Sequence, residues 1–86
     1  MHDAVIHIDQ IRERIRRYIA DHLLPEGSEP LQDDEDLLGR LDSLQILRML
    51  IELESLYQFK VANSELSAEN LGTIDRLSSF VAQKLS

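Results

Sequence analysis

Apolar residues recur at helical spacing in three stretches of the chain. Across residues 4–24, Val5, Ile8, Ile11, Ile15, Tyr18 or Ile19, and Leu23 share one side, the pattern of an amphipathic helix. Asp3 stands where a cap belongs, and Pro25 stands where the helix must stop. Across residues 44–57, steps of about 100° per residue give two apolar stripes rather than one. Ile46, Met49, Leu50, Leu53 and Tyr57 gather within about 80° and form a core face. Leu44, Leu47 and Ile51 form a second stripe roughly 120° round, and Gln45, Arg48, Glu52 and Ser55 fill most of the remaining arc. The third stretch has Ile74, Leu77, Val81 and Leu85 on its inner side with Phe80 alongside, and Thr73 as its cap.

The connections carry their own signals. In residues 25–41, Pro25, Gly27, Ser28 and Pro30 mark turns. That link is long for a helix–helix connection, so part of it should pack, with Leu31, Leu37 and Leu38 as the anchors. Residues 58–63 form a shorter link in which Val61 is expected to pack. Ser64 or Ser67 caps a short helical turn over residues 67–71, which Gly72 interrupts. No strand alternation is present. The fold class expected is all-α, a small bundle of three main helices plus one short helix, with residues 1–86 as a single domain.

Length gives the second stripe its interest. A chain of 86 residues buries about 60% of the surface its unfolded form exposes. Its central helix can hide one face easily and two only with difficulty. Leu44, Leu47 and Ile51 therefore lie either under a loop or on a surface that awaits a partner.

Composition removes several function classes. Apolar residues at 43% and charged residues at 29% suit a folded soluble chain. A net charge of −7 opposes nucleic-acid binding, which needs a basic face to neutralise phosphates. It favours partners with basic docking surfaces. The absence of cysteine excludes disulfides, zinc–thiolate sites and a thiol nucleophile, and fits a reducing cytoplasm. No run reaches the roughly 20 apolar residues of a membrane span, and the N-terminus lacks the features of a signal peptide. A soluble cytoplasmic monomer is expected.

One position stands out for chemistry. Asp42 is a favoured N-cap type, and Ser43 follows it at the first position of the central helix. Unpaired N–H groups and the positive end of the helix dipole gather there, so a phosphate attached to Ser43 would be stabilised. An Asp-Ser pair can also be nothing more than a helix cap.

Three segments decide the matter by resemblance. Asp36-Leu37-Leu38-Gly39-Arg40-Leu41-Asp42-Ser43-Leu44 resembles the Asp-Ser-Leu attachment motif of acyl carrier proteins and the loop before it. Leu50-Ile51-Glu52-Leu53-Glu54-Ser55-Leu56-Tyr57 looks like that family's second helix, and Ser67-Ala68-Glu69-Asn70-Leu71-Gly72-Thr73-Ile74 is similar to its third. The resemblance implies a carrier, not an enzyme. Ser43 would take 4′-phosphopantetheine from coenzyme A through a phosphopantetheinyl transferase, with Asp42 helping to dock that enzyme and its metal. An acyl- or aminoacyl-loading ligase and downstream synthases would be the further partners. Leu44, Leu47, Arg48 and Ile51 would be the partner-facing residues. Ile46, Leu50 and Leu53 would either border a cavity for the cargo or simply pack.

Departures from the family narrow the pathway. Arg48 and Ser55 stand where fatty-acid carriers are often acidic, and the first helix is arginine-rich, which counts against a generic fatty-acid synthase and points to a dedicated partner set of a specialised polyketide, lipid or aminoacyl pathway. The rival reading is an unmodified helical adaptor with the carrier fold.

Other chemistry is weaker. Arg12, Glu13, Arg16 and Arg17 form a basic patch that is either a solvated face or a docking surface, with Glu13 and Arg17 spaced for an ion pair. Asp33-Asp34-Glu35-Asp36 lacks the spacing, glycine and terminal glutamate of a calcium loop. His2, His7 and His22 have no metal-ligand spacing. Glu52 and Glu54 lie about 200° apart, so they are no acid–base pair. No nucleophile elbow surrounds Ser43.

Overall fold

A computed structural model describes residues 7–86. Four α-helices follow one another: α1 (Ile8–Tyr18), α2 (Ser43–Tyr57), α3 (Ala68–Leu71) and α4 (Ile74–Leu85), with no strand among the described residues. The all-α expectation of three main helices and one short helix holds.

The start of α1 differs from the pattern-based expectation. His7 is extended at φ −88° and ψ 104° and its carbonyl accepts from the amides of Gln10 and Ile11, so it occupies the cap position and the helix begins at Ile8. The expected cap Asp3 and stripe residue Val5 lie outside the described residues. At its other end α1 widens into a π-helical turn over Ile19–Leu23, where the Leu24 amide donates to the Ile19 carbonyl at 2.9 Å. Leu24 is extended, as the residue before a proline tends to be. The chain then reverses in a tight turn with the Ser28 amide donating to Pro25 at 3.1 Å. Gly27 supplies the positive φ of 86° that this turn needs.

The long connection packs, with one exception. Leu31, Leu37 and Leu41 are buried, whereas Leu38, expected to pack with them, is 58% exposed. The cause is local geometry. Leu37–Gly39 is a 3₁₀ turn capped by the Asp36 side chain, and at about three residues per turn Leu38 points away from the side that Leu37 buries. Backbone bonds fasten this connection to the rest of the fold: the Leu37 amide donates to Gly72 at 2.8 Å and the Asp75 amide donates to Asp33 at 3.0 Å.

The arginines of α1 explain the acidic segment. Arg12 donates to Asp9 at 2.5 Å and to Asp75 at 3.0 Å, and its guanidinium lies 3.8 Å from Asp33. Arg16 pairs with Glu13 at 2.6 Å and also with Asp33. The carboxylates raise both guanidinium pKa values, first through hydrogen bonds: Asp9 leads for Arg12 and Asp33 for Arg16. These two arginines are thus neither a free solvated face nor an open docking patch. They clasp α1, the long connection and the start of α4. Glu13 and Arg17 do approach within 3.9 Å, as their spacing predicts.

A continuous core unites α1, α2, α4 and the connection, with Ile15, Met49, Ile74 and Val81 wholly buried. Phe59, in the link after α2, is buried as well and escapes periodicity because it lies in no helix, while Val61 is half-buried against the core. Gln58 ends α2 in the left-handed region at φ 60°, and the Glu54 side chain accepts from the Val61 amide at 2.7 Å. Ser67 holds the cap position of α3 without a side-chain bond, whereas Thr73 caps α4 through the Arg76 amide at 3.0 Å.

Glu65 gives the bundle a pH dependence. Its carboxylate accepts from the Ala62 amide at 2.9 Å and from Lys84 at 2.9 and 3.1 Å. The amide first and the ammonium second hold its pKa below the ordinary glutamate value of 4.5. The folded state therefore releases this proton more readily than the unfolded chain does. Its stabilising contribution is present above the ordinary value and is lost as pH falls through the depressed one. Glu65→Gln is expected to flatten the fall in Tm as the pH drops below the ordinary glutamate value of 4.5. Thermal melts of both proteins across that range check this, and parallel curves would refute it.

Candidate functional site at the start of the second helix

The sequence Asp-Ser-Leu-Gln at residues 42–45 builds a complete helix start. Asp42 is extended at φ −91° and ψ 170°, and its carboxylate accepts from the Gln45 amide at 2.8 Å. The Gln45 side chain returns the bond by accepting from the Asp42 amide at 3.0 Å. This reciprocal pair is a capping box. Ser43 is the first helical residue and is exposed. The amides of Ser43 and Leu44 have no acceptor among the described residues, so two donors and the dipole's positive end surround the serine.

The serine has no chemistry of its own. Among the described residues no side chain hydrogen-bonds its hydroxyl, so nothing there takes up its proton. Asp42, the neighbouring carboxylate, is engaged with the Gln45 amide. Glu54 accepts from the Val61 amide. No cluster of three or more His, Cys, Asp or Glu among the described residues could hold a metal ion.

Beside Ser43 the surface is apolar. Leu44, Leu47 and Ile51 are 57%, 43% and 57% exposed, which places the second stripe in the open rather than under a loop. Leu38, displaced outward by the 3₁₀ turn, adds a further exposed leucine shortly before α2 in the chain. Arg48 is exposed and has no ion pair among the described residues. Its neighbour in type, Arg40, is instead tied down by Glu35 at 3.3 Å and by the Glu29 carbonyl at 2.7 Å. The opposite face is different in kind. Ile46, Leu50 and Leu53 are buried in the continuous core with Met49, and Leu53 also borders a surface groove shared with Tyr18 and Arg17 of α1.

Comparison with known proteins bears on this arrangement. No protein-family model matches the chain. It is 33% identical over 75 residues to a D-alanyl carrier protein of Streptococcus suis (strain 98HAH33), an alignment that covers 85% of this chain and 92% of the relative. The chain belongs to the carrier-protein family. A D-alanyl carrier protein of Streptococcus uberis (strain ATCC BAA-854 / 0140J) is 37% identical over 59 residues, covering 66% of this chain and 73% of that one. The role common to such proteins is thioester carriage, and a carrier is not itself an enzyme.

Two features of the carrier's site escape periodicity. The capping-box role of Gln45 is legible only as the Asp-x-x-Gln spacing; by helical position Gln45 is one more polar residue of the outer arc. Its second bond, from Nε2 to the Leu23 carbonyl at 3.1 Å, joins residues 22 apart and leaves no local signal.

Proposed function

We propose that Ser43 is the attachment point of 4′-phosphopantetheine and that the carrier transports an aminoacyl unit, D-alanine or a close analogue, for a dedicated ligase and a downstream acceptor enzyme in the cytoplasm. The observation that carries this is the exposed Ser43 at the capped start of α2, with two unpaired amides beside it. The names of both relatives support the choice of cargo.

The residues present fit the group. The Ser43 hydroxyl oxygen forms the phosphodiester bond, adenosine 3′,5′-bisphosphate leaves from coenzyme A, and the serine proton passes to the transferase. The unpaired amides of Ser43 and Leu44 would then stabilise the new anionic charge at the positive end of α2. Asp42 keeps the helix start formed and, beside the serine, would help to dock the transferase and its metal. When bound, the group supplies a terminal thiol that holds the cargo as a thioester. Because the chain lacks cysteine, no thiol of its own competes for that cargo. Intact mass before and after incubation with coenzyme A, Mg²⁺ and a broad-specificity transferase tests the reading: one phosphopantetheine is gained, and an unchanged mass refutes it.

Leu44, Leu47, Arg48 and Ile51 form the surface that partner enzymes read. Leu47→Asp removes an exposed apolar contact and leaves the core face intact. Its Tm is expected to stay within a few degrees of the parent, since surface changes cost about 0.5 kcal/mol or less. The KM for loading by a D-alanine–carrier ligase should rise about tenfold, the effect of losing one central contact of an interface. Loading kinetics with the parent's KM would remove Leu47 from the docking surface.

A further inference from the structure

Gln45 does two things with one side chain. Its carboxamide oxygen accepts from the Asp42 amide at 3.0 Å, and its carboxamide nitrogen donates to the Leu23 carbonyl at 3.1 Å. The first bond belongs to the cap beside Ser43. The second reaches the last residue of the π-helical turn that ends the first helical segment, a carbonyl of the kind a helix leaves without a partner. The bond to Leu23 is part-buried, whereas the bond to the Asp42 amide is exposed.

Resting on the assignment of Ser43 as the modified residue, we propose that Gln45 is a positioning residue: it braces the turn that presents the Ser43 hydroxyl against the end of the π-helical turn that follows α1, and so sets the rate at which the serine is modified. Ser43 lies between an extended residue and the first full helical turn, so the direction of its side chain follows the backbone of Asp42. That backbone has its amide held by Gln45. The brace converts a frayed helix end into a fixed one, anchored to a second element that the core holds through Ile15 and Ile19. Rate is the quantity affected, because phosphoryl transfer requires the attacking oxygen in line with the bond that breaks.

The chemistry of the side chain dictates the test. Only a carboxamide of this length both accepts and donates. Glutamate at neutral pH accepts from Asp42 but cannot donate to Leu23, and its negative charge sits favourably at the helix start. Alanine does neither. Gln45→Glu thus keeps the cap and removes the brace, and Gln45→Ala removes both.

Modification by a broad-specificity transferase with coenzyme A and Mg²⁺ is to be followed by intact mass, at a temperature well below each variant's Tm. For both variants kcat is expected to fall by about fivefold or more with KM within about twofold, since a misdirected nucleophile loses rate while the docking stripe is untouched. Amide exchange read by NMR supplies an independent check: protection of the Asp42 amide is lost in Gln45→Ala and kept in Gln45→Glu. A Gln45→Glu variant modified at the parent's kcat would overturn the brace, and so would a change confined to KM. A parent chain that gains no mass would overturn the attachment reading itself, a result distinct from a modified parent with equally fast variants.

Discussion

Ser43→Ala is expected to abolish the mass gain on incubation with coenzyme A, Mg²⁺ and a transferase, not merely to slow it. The new bond is made to the serine oxygen, and alanine has no atom to offer in its place. Two other hydroxyls are already engaged. The Ser78 hydroxyl is buried and donates to the Ile74 carbonyl at 2.7 Å, and Thr73 is committed to capping α4. The substitution should leave the fold in place, because the cap is made by Asp42 and Gln45 and the Ser43 side chain makes no hydrogen bond to either. Alanine is also a better helix former than serine by a few tenths of a kcal/mol, so Tm should be equal or slightly higher. Intact mass and a thermal melt on the same sample check both halves. A residual gain of full size in the variant would move the attachment to another hydroxyl and would leave Asp42-Ser43 as a helix cap.

Ile15→Ala is expected to have the largest effect on stability. Ile15 is wholly buried at the middle of α1, one turn from both Ile11 and Ile19, which are also buried. Truncating a buried isoleucine to alanine costs about 2–5 kcal/mol, because the transfer energy of the lost methyl groups adds to that of the cavity left behind. A domain of this size has only about 5–10 kcal/mol in total. At roughly 4–8 °C per kcal/mol, Tm falls by about 8 °C at the least. Thermal unfolding followed by circular dichroism measures it. A fall of less than about 4 °C would mean that α1 is held mainly by its arginines rather than by its apolar face.

How much of this is legible in the chain depends on how far apart the interacting residues lie. The faces of α2 are a local matter: residues three and four apart share a side, and Ile46, Met49, Leu50 and Leu53 are buried while Leu44, Leu47 and Ile51 are exposed. The same holds for Asp42 as N-cap and Thr73 as cap of α4, whose partners are three residues on. Leu38 fails because its environment is set by a 3₁₀ turn, a geometry that an apolar count does not register. Phe59 is buried from an irregular segment, where no period exists to reveal it. The arginines of α1 fail for a further reason. Arg12 and Asp75 are 63 residues apart and Arg16 and Asp33 are 17 apart, so composition shows a basic helix and an acidic loop without showing that they meet. In the site, the serine and its cap are readable, whereas the tie from Gln45 to Leu23 requires knowing that the π-helical turn after α1 ends beside the start of α2.

The clasp of Arg12 and Arg16 on Asp33 has a consequence for degradation. A connection as long as residues 25–41 is ordinarily the place where a protease cuts a helical bundle, since it opens without disturbing the helices. Here its midpoint is held by α1 through Asp33 and by α4 through the Asp75 amide, and its far end is held by the Leu37 amide on Gly72. Freeing the stretch around Asp33 to enter a protease cleft means breaking these ties first. Cleavage around Asp33 is therefore slower than in an untied connection of this length, and a protease should cut first at the largely exposed turn of residues 26–30.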